Sequence, residues 1–378
     1  MGTLVCTTRH GKGKRWAARV VDRNGFESSK SFDRKAEADA YVKQVSADLA
    51  TGRYVDTRKS AVTFREVSEQ WLAIQRTRLK PSTVGGYESL LRITVWPRWG
   101  GTKLSEMTHT DLQDWLAWLT TSKDARQPRT TDKDKNANRK PLSARRAVQA
   151  HGIVKQVLDY AVRTGRLGIN PARDIERPRV VYRRETALTH LQVAALVKAA
   201  GDAGPIILTL AYTGLRFGEL AALRVADVDI KRRRILVSKA VAQVTGIGLV
   251  EDTTKTSQVR SVPILTTELA NVLADVIAGR GPEEYLFPAP DGGPMRNSYL
   301  RWRLDQASAA NGLPGVSIKT LRHSAGSLAL AVPGTSIVVV SKLLGHSNVT
   351  TTMNIYSHML PDDFDNLAAG MDTAVSSL

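Results

Sequence analysis

Along the chain the spacing of hydrophobic and polar positions changes character several times, and each change predicts a different kind of element. β-type segments come first. The run from Gly11 to Val21 and the run from Phe26 to Phe32 flank Asn24-Gly25, a dipeptide that closes hairpins because both residues tolerate positive φ. From Lys35 to Leu49 the spacing predicts a helix with Ala36, Ala40, Val42 and Val45 on its apolar face, ending near Thr51-Gly52. A second region opens where Thr63 and Glu66 have capping-box spacing and Phe64, Val67, Trp71 and Leu72 recur at helical intervals. Further helical patterns at Ser82 to Arg92, Thr108 to Leu119 and Ser143 to Thr164 complete a four-helix bundle. Trp71, Trp96, Trp99, Trp115 and Trp118 are read as its core rather than as stacking platforms for bases.

Between Lys123 and Arg146 the pattern lapses, with 9 Lys and Arg against 3 Asp and Glu and no Gly. This is expected to be a mobile loop in the free protein, either simply solvated or able to order on phosphates through residues such as Arg145 and Arg146. Asn170-Pro171 ends the bundle pattern, and the basic, proline-marked run Arg177 to Arg184, including Arg183 and Arg184, reads as a linker. Two compact domains on a cationic strap suggest a clamp around a duplex. A third region begins at Leu188, where Thr189 and Gln192 form another capping-box signature. After helical runs to Tyr212 the chain turns to β character at Asp229 to Val237, Lys239 to Thr245 and Val259 to Ile264, with Lys255 in the polar connection Asp252 to Gln258. Helices resume at Thr266. In the stretch from Val316 to His358, two of them are separated by the turn Val332-Pro333-Gly334.

The whole is expected to be mainly α with small β-sheets, a multidomain α+β protein. The boundaries fall at 1–58, 60–176, a linker at 177–187, and 188–378 with a tail from about 361. Composition adds the partner class: 54 Lys and Arg against 36 Asp and Glu give a formal charge of +18, which points to a polyanion such as nucleic acid. Residues 1–59 alone hold 13 Lys and Arg against 7 Asp and Glu, with Arg15, Trp16 and Arg19 as candidate contacts to a DNA groove. A single cysteine, Cys6, excludes an internal disulfide framework and points to a reducing compartment. No apolar run reaches the ~18 residues that a membrane span needs, and no export signal opens the chain.

Candidate chemistry gathers at helix ends. Arg322 and His323 open one helix, His346 follows Gly345 at the end of another, Tyr356 lies on the next amphipathic turn, and Arg216 projects from the turn after Gly214. Two guanidiniums, always charged and able to give paired hydrogen bonds, suit the two non-bridging oxygens of a phosphodiester. A phenol with a pKa of about 10 needs a base or a cationic neighbourhood to attack at neutral pH. Lys255, at a turn, can protonate a departing oxygen. His323, His346 and His358 have neither metalloenzyme spacing nor accompanying acids or cysteines, so no catalytic metal is expected.

Thr213-Gly214-Leu215-Arg216-Phe217-Gly218-Glu219-Leu220, Lys255 in a Thr-Lys-Thr turn, Leu321-Arg322-His323, Leu344-Gly345-His346 and Tyr356 closely resemble the tyrosine recombinase (phage integrase) family. The resemblance covers roughly the C-terminal half of the chain. It implies a helical core-binding bundle, a mixed α/β catalytic domain, and an N-terminal three-stranded sheet plus helix for accessory arm-type DNA sites. It also implies strand cleavage and rejoining without ATP or other cofactor, through a 3′-phosphotyrosine on Tyr356, with Arg216, Arg322, His346 and Lys255 catalytic and Glu219 orienting Arg216. Its implied partners are double-stranded attachment DNA, further copies of the chain in a homotetramer, and a host DNA-bending protein or directionality factor, in the nucleoid of a bacterial cytoplasm. Lys319 departs from the pattern, standing where the family usually has histidine. One helical turn before Arg322, it is expected to reach the same phosphate. The acidic tail, with Asp362, Asp363, Asp365 and Asp372, is expected to dock on a neighbouring protomer. The alternatives are a topoisomerase of the same chemistry and a non-catalytic DNA-binding regulator.

Overall fold

The computed structural model describes residues 5–9, 16–21, 27–50, 60–126, 139–181, 186–244, 246–253, 259–356, 371–373 and 375–376. Two compact units divide the chain, Met1–Tyr182 and Arg183–Leu378.

In the first unit, β1 (Val5–Arg9), β2 (Trp16–Val21) and β3 (Glu27–Phe32) form an antiparallel sheet in that order, in a register that places Trp16 opposite Phe32. Helix α1 (Lys35–Ala50) packs on it. The face of α1 differs from the sequence reading: Ala38 and Val45 are buried and Tyr41 and Val42 half-buried, whereas Ala36 and Ala40 are exposed. Positions 38, 41, 42 and 45 are the true i, i+3, i+4, i+7 stripe, and Tyr41 belongs to it because its ring packs 5.3 Å from that of Phe32.

The bundle follows. Helix α2 (Phe64–Arg78) begins with the full Thr63–Glu66 capping box. Helix α3 (Pro81–Leu90) runs through a wide π turn, Leu91–Val95, into α4 (Trp96–Trp99). The widening lies where Pro97 lacks an amide to donate to the preceding turn. Helices α5 (His109–Thr121) and α6 (Ala144–Arg163), capped by Thr108 and Ser143, close a core of Phe64, Trp71, Leu91, Trp99, Leu116 and Leu158. Trp71, Trp99 and Trp115 are buried, and Trp96 donates from Nε1 to Ser68 Oγ at 2.9 Å. Trp118 does not join them: at 42% exposure it lies on the outer face of α5. The chain stays with the bundle past Pro171, since Ala172 and Ile175 are part of its core.

The second unit is built around α8 (Gly204–Thr213), where Ile206, Ile207, Leu208, Leu210 and Ala211 are all buried. A helix apolar on every side belongs in the middle. Against it pack α7 (His190–Ala199), with its Thr189–Gln192 capping box, α10 (Thr267–Ile277) and α12 (Ile318–Leu330). Between α8 and α10 come the short α9 (Phe217–Ala222) and five strands. Strands β4 (Val228–Asp229), β5 (Arg234–Val237) and β8 (Arg260–Pro263) make an antiparallel sheet in the order β4-β5-β8, and β6 (Lys239–Val244) pairs with β7 (Gly248–Thr253) as a separate hairpin. Strand β7 is absent from the sequence reading, which placed its last residues in the polar connection. Its alternation is obscured by Glu251 and Asp252, yet Glu251 is what anchors it: Lys239 (2.8 Å), Arg224 (3.3 Å) and the Tyr285 hydroxyl (3.2 Å) all reach its carboxylate. Helices α11 (Asn297–Ala310), α13 (Ile337–Leu344) and α14 (Val349–Tyr356) complete the unit.

Candidate active site

Two turns bring the polar residues together. Helix α8 ends at Gly214, so Arg216 becomes the N-cap of α9. Helix α13 ends at Gly345, whose φ of 62° places it in the left-handed region and turns His346 away from the helix axis. Arg322, in the second turn of α12, joins the two turns. Its Nη1 donates to the Gly214 carbonyl and its Nη2 to the Leu344 carbonyl at 2.6 Å. Arg216 does the same from the other side, with Nη2 donating to the Gly345 carbonyl at 3.2 Å.

Glu219 lies beneath these cations, 1% exposed. Its Oε2 accepts the Arg216 backbone N–H (2.9 Å) and its Oε1 the Arg216 Nη1 (2.8 Å). Arg260, the first residue of β8, adds two parallel bonds, Nη1 to Oε1 at 2.9 Å and Nη2 to Oε2 at 2.6 Å. Burial alone would raise the Glu219 pKa, but the Arg260 bonds and then Arg216 outweigh it, so the carboxyl is held below its usual range and ionised. Sequence reasoning missed Arg260. The signal was parity: in a strand ending at Ile264, Arg260 shares a face with the buried Val262, and an inward-facing arginine requires a buried partner.

Three guanidiniums around one carboxylate leave an excess of positive charge. Burial first, then Arg216, lower the Arg322 pKa to about 10, which still leaves it charged at neutral pH. His346 is pushed down to about 4, by burial and then by Arg322, Arg216 and Arg260, so its imidazole is neutral there. Thr352 Oγ1, 2.8 Å from Nδ1, fixes the ring.

Tyr356, at the end of α14, is 2% exposed and packs with Val340 and Leu344. Its ring stacks on His323 (centroids 4.9 Å apart, planes at 15°), and its hydroxyl donates to the His323 carbonyl at 3.2 Å. The helix beneath it has no room for a side chain at 326, where a Cβ would fall on the phenol oxygen and 2.5 Å from Cζ. The phenol is also close enough to Arg322 to favour that residue's charged form.

Of the other sequence candidates, Lys319 is exposed in the first turn of α12. Lys255 lies outside the described residues, between β7 and β8, as do Arg15, Arg183, Arg184 and His358. Arg19 is exposed, Trp16 half-buried with Lys35 Nζ 5.6 Å from its ring, and Arg145 and Arg146 sit in the first turn of α6. Among the described residues no group of three or more His, Cys, Asp or Glu is placed to hold a metal ion, and no helix is long and apolar enough to cross a membrane.

The sequence profile of the Phage integrase family matches residues 187–362, and that of the phage integrase N-terminal SAM-like domain matches residues 63–120. The chain belongs to the phage integrase family. It is a tyrosine-type site-specific recombinase. The integrase of Staphylococcus phage L54a is 29% identical over 201 residues, which span 49% of this chain and 55% of that protein. The integrase of Mycobacterium phage D29 is 23% identical across 92% of this chain and 90% of its own, and tyrosine recombinase XerC of Xylella fastidiosa is 29% identical across 63% and 76%. In architecture the recombinase is similar to the Tn1549 transposon integrase solved with a circular intermediate DNA (TM-score 0.65, 23% identity, 82% of this chain and 99% of that one). It also resembles a lambda integrase tetramer solved on a Holliday junction (TM-score 0.58, 15% identity, 91% and 96%).

Proposed function

We propose that this recombinase is the integrase of a phage or other mobile element, and that it cuts and rejoins duplex attachment DNA through Tyr356. What carries the reading is the convergence of Arg216, Arg322 and neutral His346 on the two turns after Gly214 and Leu344, with the Tyr356 phenol beside them. A phosphodiester placed there meets cations where charge accumulates in the transition state. Arg216 and Arg322 bind the non-bridging oxygens. The Tyr356 oxygen forms a bond to phosphorus as the bond to the 5′ oxygen breaks, and Lys255 gives that oxygen a proton. The product is a 3′-phosphotyrosine with a free 5′ hydroxyl, so a hydroxyl from a second strand can reverse the step without ATP. Lys319, on the outer side of α12 one turn before Arg322, adds a contact to the same phosphate.

His346 has a restricted role in the free protein. An imidazole with a pKa of about 4 is a poor acceptor for a phenol proton; a phosphate among the guanidiniums offsets their charge and raises its proton affinity, so it becomes an effective base only once DNA is bound. Tyr356 likewise has to leave its contact with the His323 carbonyl before it attacks. Residues 1–58 serve accessory arm sites, 60–176 and 188–378 hold the core site, and the working assembly is a homotetramer on DNA, joined by a host bending protein or directionality factor.

The test is denaturing electrophoresis after incubation with labelled duplex carrying the core sequence that the protein selects from a randomised library. The parental protein is expected to carry label covalently, and Tyr356→Phe to bind the same duplex without forming an adduct. An adduct of normal yield in the variant sinks the assignment. Strand transfer between two marked duplexes separates a recombinase from a topoisomerase, and the adduct separates either from a DNA-binding regulator.

A further inference from the structure

We propose that Arg260 is a positioning residue that occupies Glu219 and thereby leaves Arg216 available to the scissile phosphate, an inference that rests on the reading of Arg216 given above.

Glu219 is fully engaged. An ionised carboxylate offers about four lone-pair sites; two are filled by the parallel bonds from Arg260, one by the Arg216 backbone N–H and one by Arg216 Nη1. The sharing is unequal. Arg260 is bound through both Nη atoms, whereas the Arg216 side chain commits a single Nη to the acid and its other Nη to a carbonyl 3.2 Å away. Their exposure differs in the same sense, 15% for the Arg260 side chain against 28% for that of Arg216. One arginine is the counter-ion, and the other keeps donors in reserve.

The fold holds Arg260 to that part. Its backbone is fixed by pairing with Val237 in the β5–β8 register. Its guanidinium lies flat against Gly345, where a Cβ would come within 2.6 Å of Nε and 2.8 Å of Cζ. Nε itself is buried with no hydrogen-bond partner, a cost that a purely decorative ion pair would not sustain. Wedged between Glu219 and the turn that carries His346, the group cannot swing towards DNA.

Without Arg260, a buried ionised carboxylate is left with Arg216 as its nearest cation, and the pairing that satisfies it best is the bidentate one. That pairing turns Arg216 away from the phosphate. Neutralising the acid removes the pull. Loss of Arg260 is therefore expected to be partly suppressed by a second change that would ordinarily be harmful, which a role confined to holding the fold together does not predict.

The experiment compares Arg260→Met, Glu219→Gln, the double variant and Arg216→Ala in single-turnover cleavage of a nicked suicide duplex carrying the selected core sequence. DNA is saturating, and thermal unfolding is recorded for each protein. Arg260→Met is expected to slow cleavage on the order of 30-fold with core-site affinity nearly unchanged, and adding Glu219→Gln to recover at least about 5-fold of it. Parental cleavage by Arg260→Met overturns the proposal, and so does a double variant no faster than Arg260→Met while both remain folded. Should Arg260→Met be unfolded at the assay temperature, Arg260→Lys with and without Glu219→Gln gives the same comparison, and equal rates again overturn it. Parental cleavage by Arg216→Ala would instead remove the underlying reading; slow Arg216→Ala with no suppression removes only the role of Arg260.

Discussion

At the scale of single residues, the site is governed by charge that the fold has collected and not neutralised. His346 feels this most. Burial first and then Arg322, Arg216 and Arg260 bring its pKa to about 4, whereas an unfolded histidine titrates near ~6.5. Between those values the unfolded chain binds a proton that the folded one refuses, so stability rises with pH across the window and falls as pH drops from about 6.5 towards 4. His151, buried against the Ala172 carbonyl, is also lowered by burial and acts in the same direction. The informative quantity is thus the difference between variants. Melting temperature is expected to fall over that range in the parental protein, and to fall less steeply in His346→Asn. Identical slopes would mean that the imidazole is not held neutral. Most of these residues were legible one by one, because Arg216, Arg322, His346 and Tyr356 stand at helix boundaries marked by Gly214, Gly345 and a break in apolar spacing. Arg260 was not, since its partner Glu219 lies 41 positions earlier and strand pairing alone brings them together.

Among the elements, helix existence followed from apolar period and caps, as at Thr63, Thr189 and Ser143, where the side-chain bonds form as the spacing implies. Faces were harder. On α1 the sequence offers two plausible alanine stripes, and the choice depends on Phe32, a residue of another element. Strand β7 was hidden for a related reason, because the acid that interrupts its apolar pattern is paired across the hairpin to Lys239. The contact between α12 and α14 is the one with functional weight. Gly326 lies in the interior of α12, where alanine is ordinarily better by roughly 0.8–1 kcal/mol. Here a Cβ would meet the Tyr356 ring at less than van der Waals distance, and overpacking of that kind costs about 1–3 kcal/mol. The second effect is the larger. Gly326→Ala is expected to lower the melting temperature and to speed nitration of Tyr356 by tetranitromethane, read by mass spectrometry. A more stable protein with Tyr356 equally protected would show that the ring does not depend on this notch.

For the molecule as a whole, the distribution of charge separates what binds from what reacts. The excess of +18 is spread over the chain, and residues 1–59 carry 13 − 7 = +6 of it with none of the catalytic candidates. In that stretch β1, β2 and β3 form a complete small sheet with α1 packed on it, with Arg19 and Lys30 exposed on the strands. A module of this kind supplies affinity through phosphate contacts, and affinity of that origin weakens steeply with salt. The bundle and the second unit each have their own core and do not draw on this sheet for burial. Removing residues 1–58 is therefore expected to leave binding to an isolated core site nearly intact. Assembly on full-length attachment DNA should fall, and the deficit should grow as salt is raised from low to physiological concentration, because the remaining contacts have to hold the complex alone. Gel-shift titrations on core and full-length sites, run beside an integration assay over the same salt series, measure both effects. If the shortened protein integrates as well as the intact one at every salt concentration, the N-terminal sheet has no part in holding attachment DNA, and its charge is only a solvated surface.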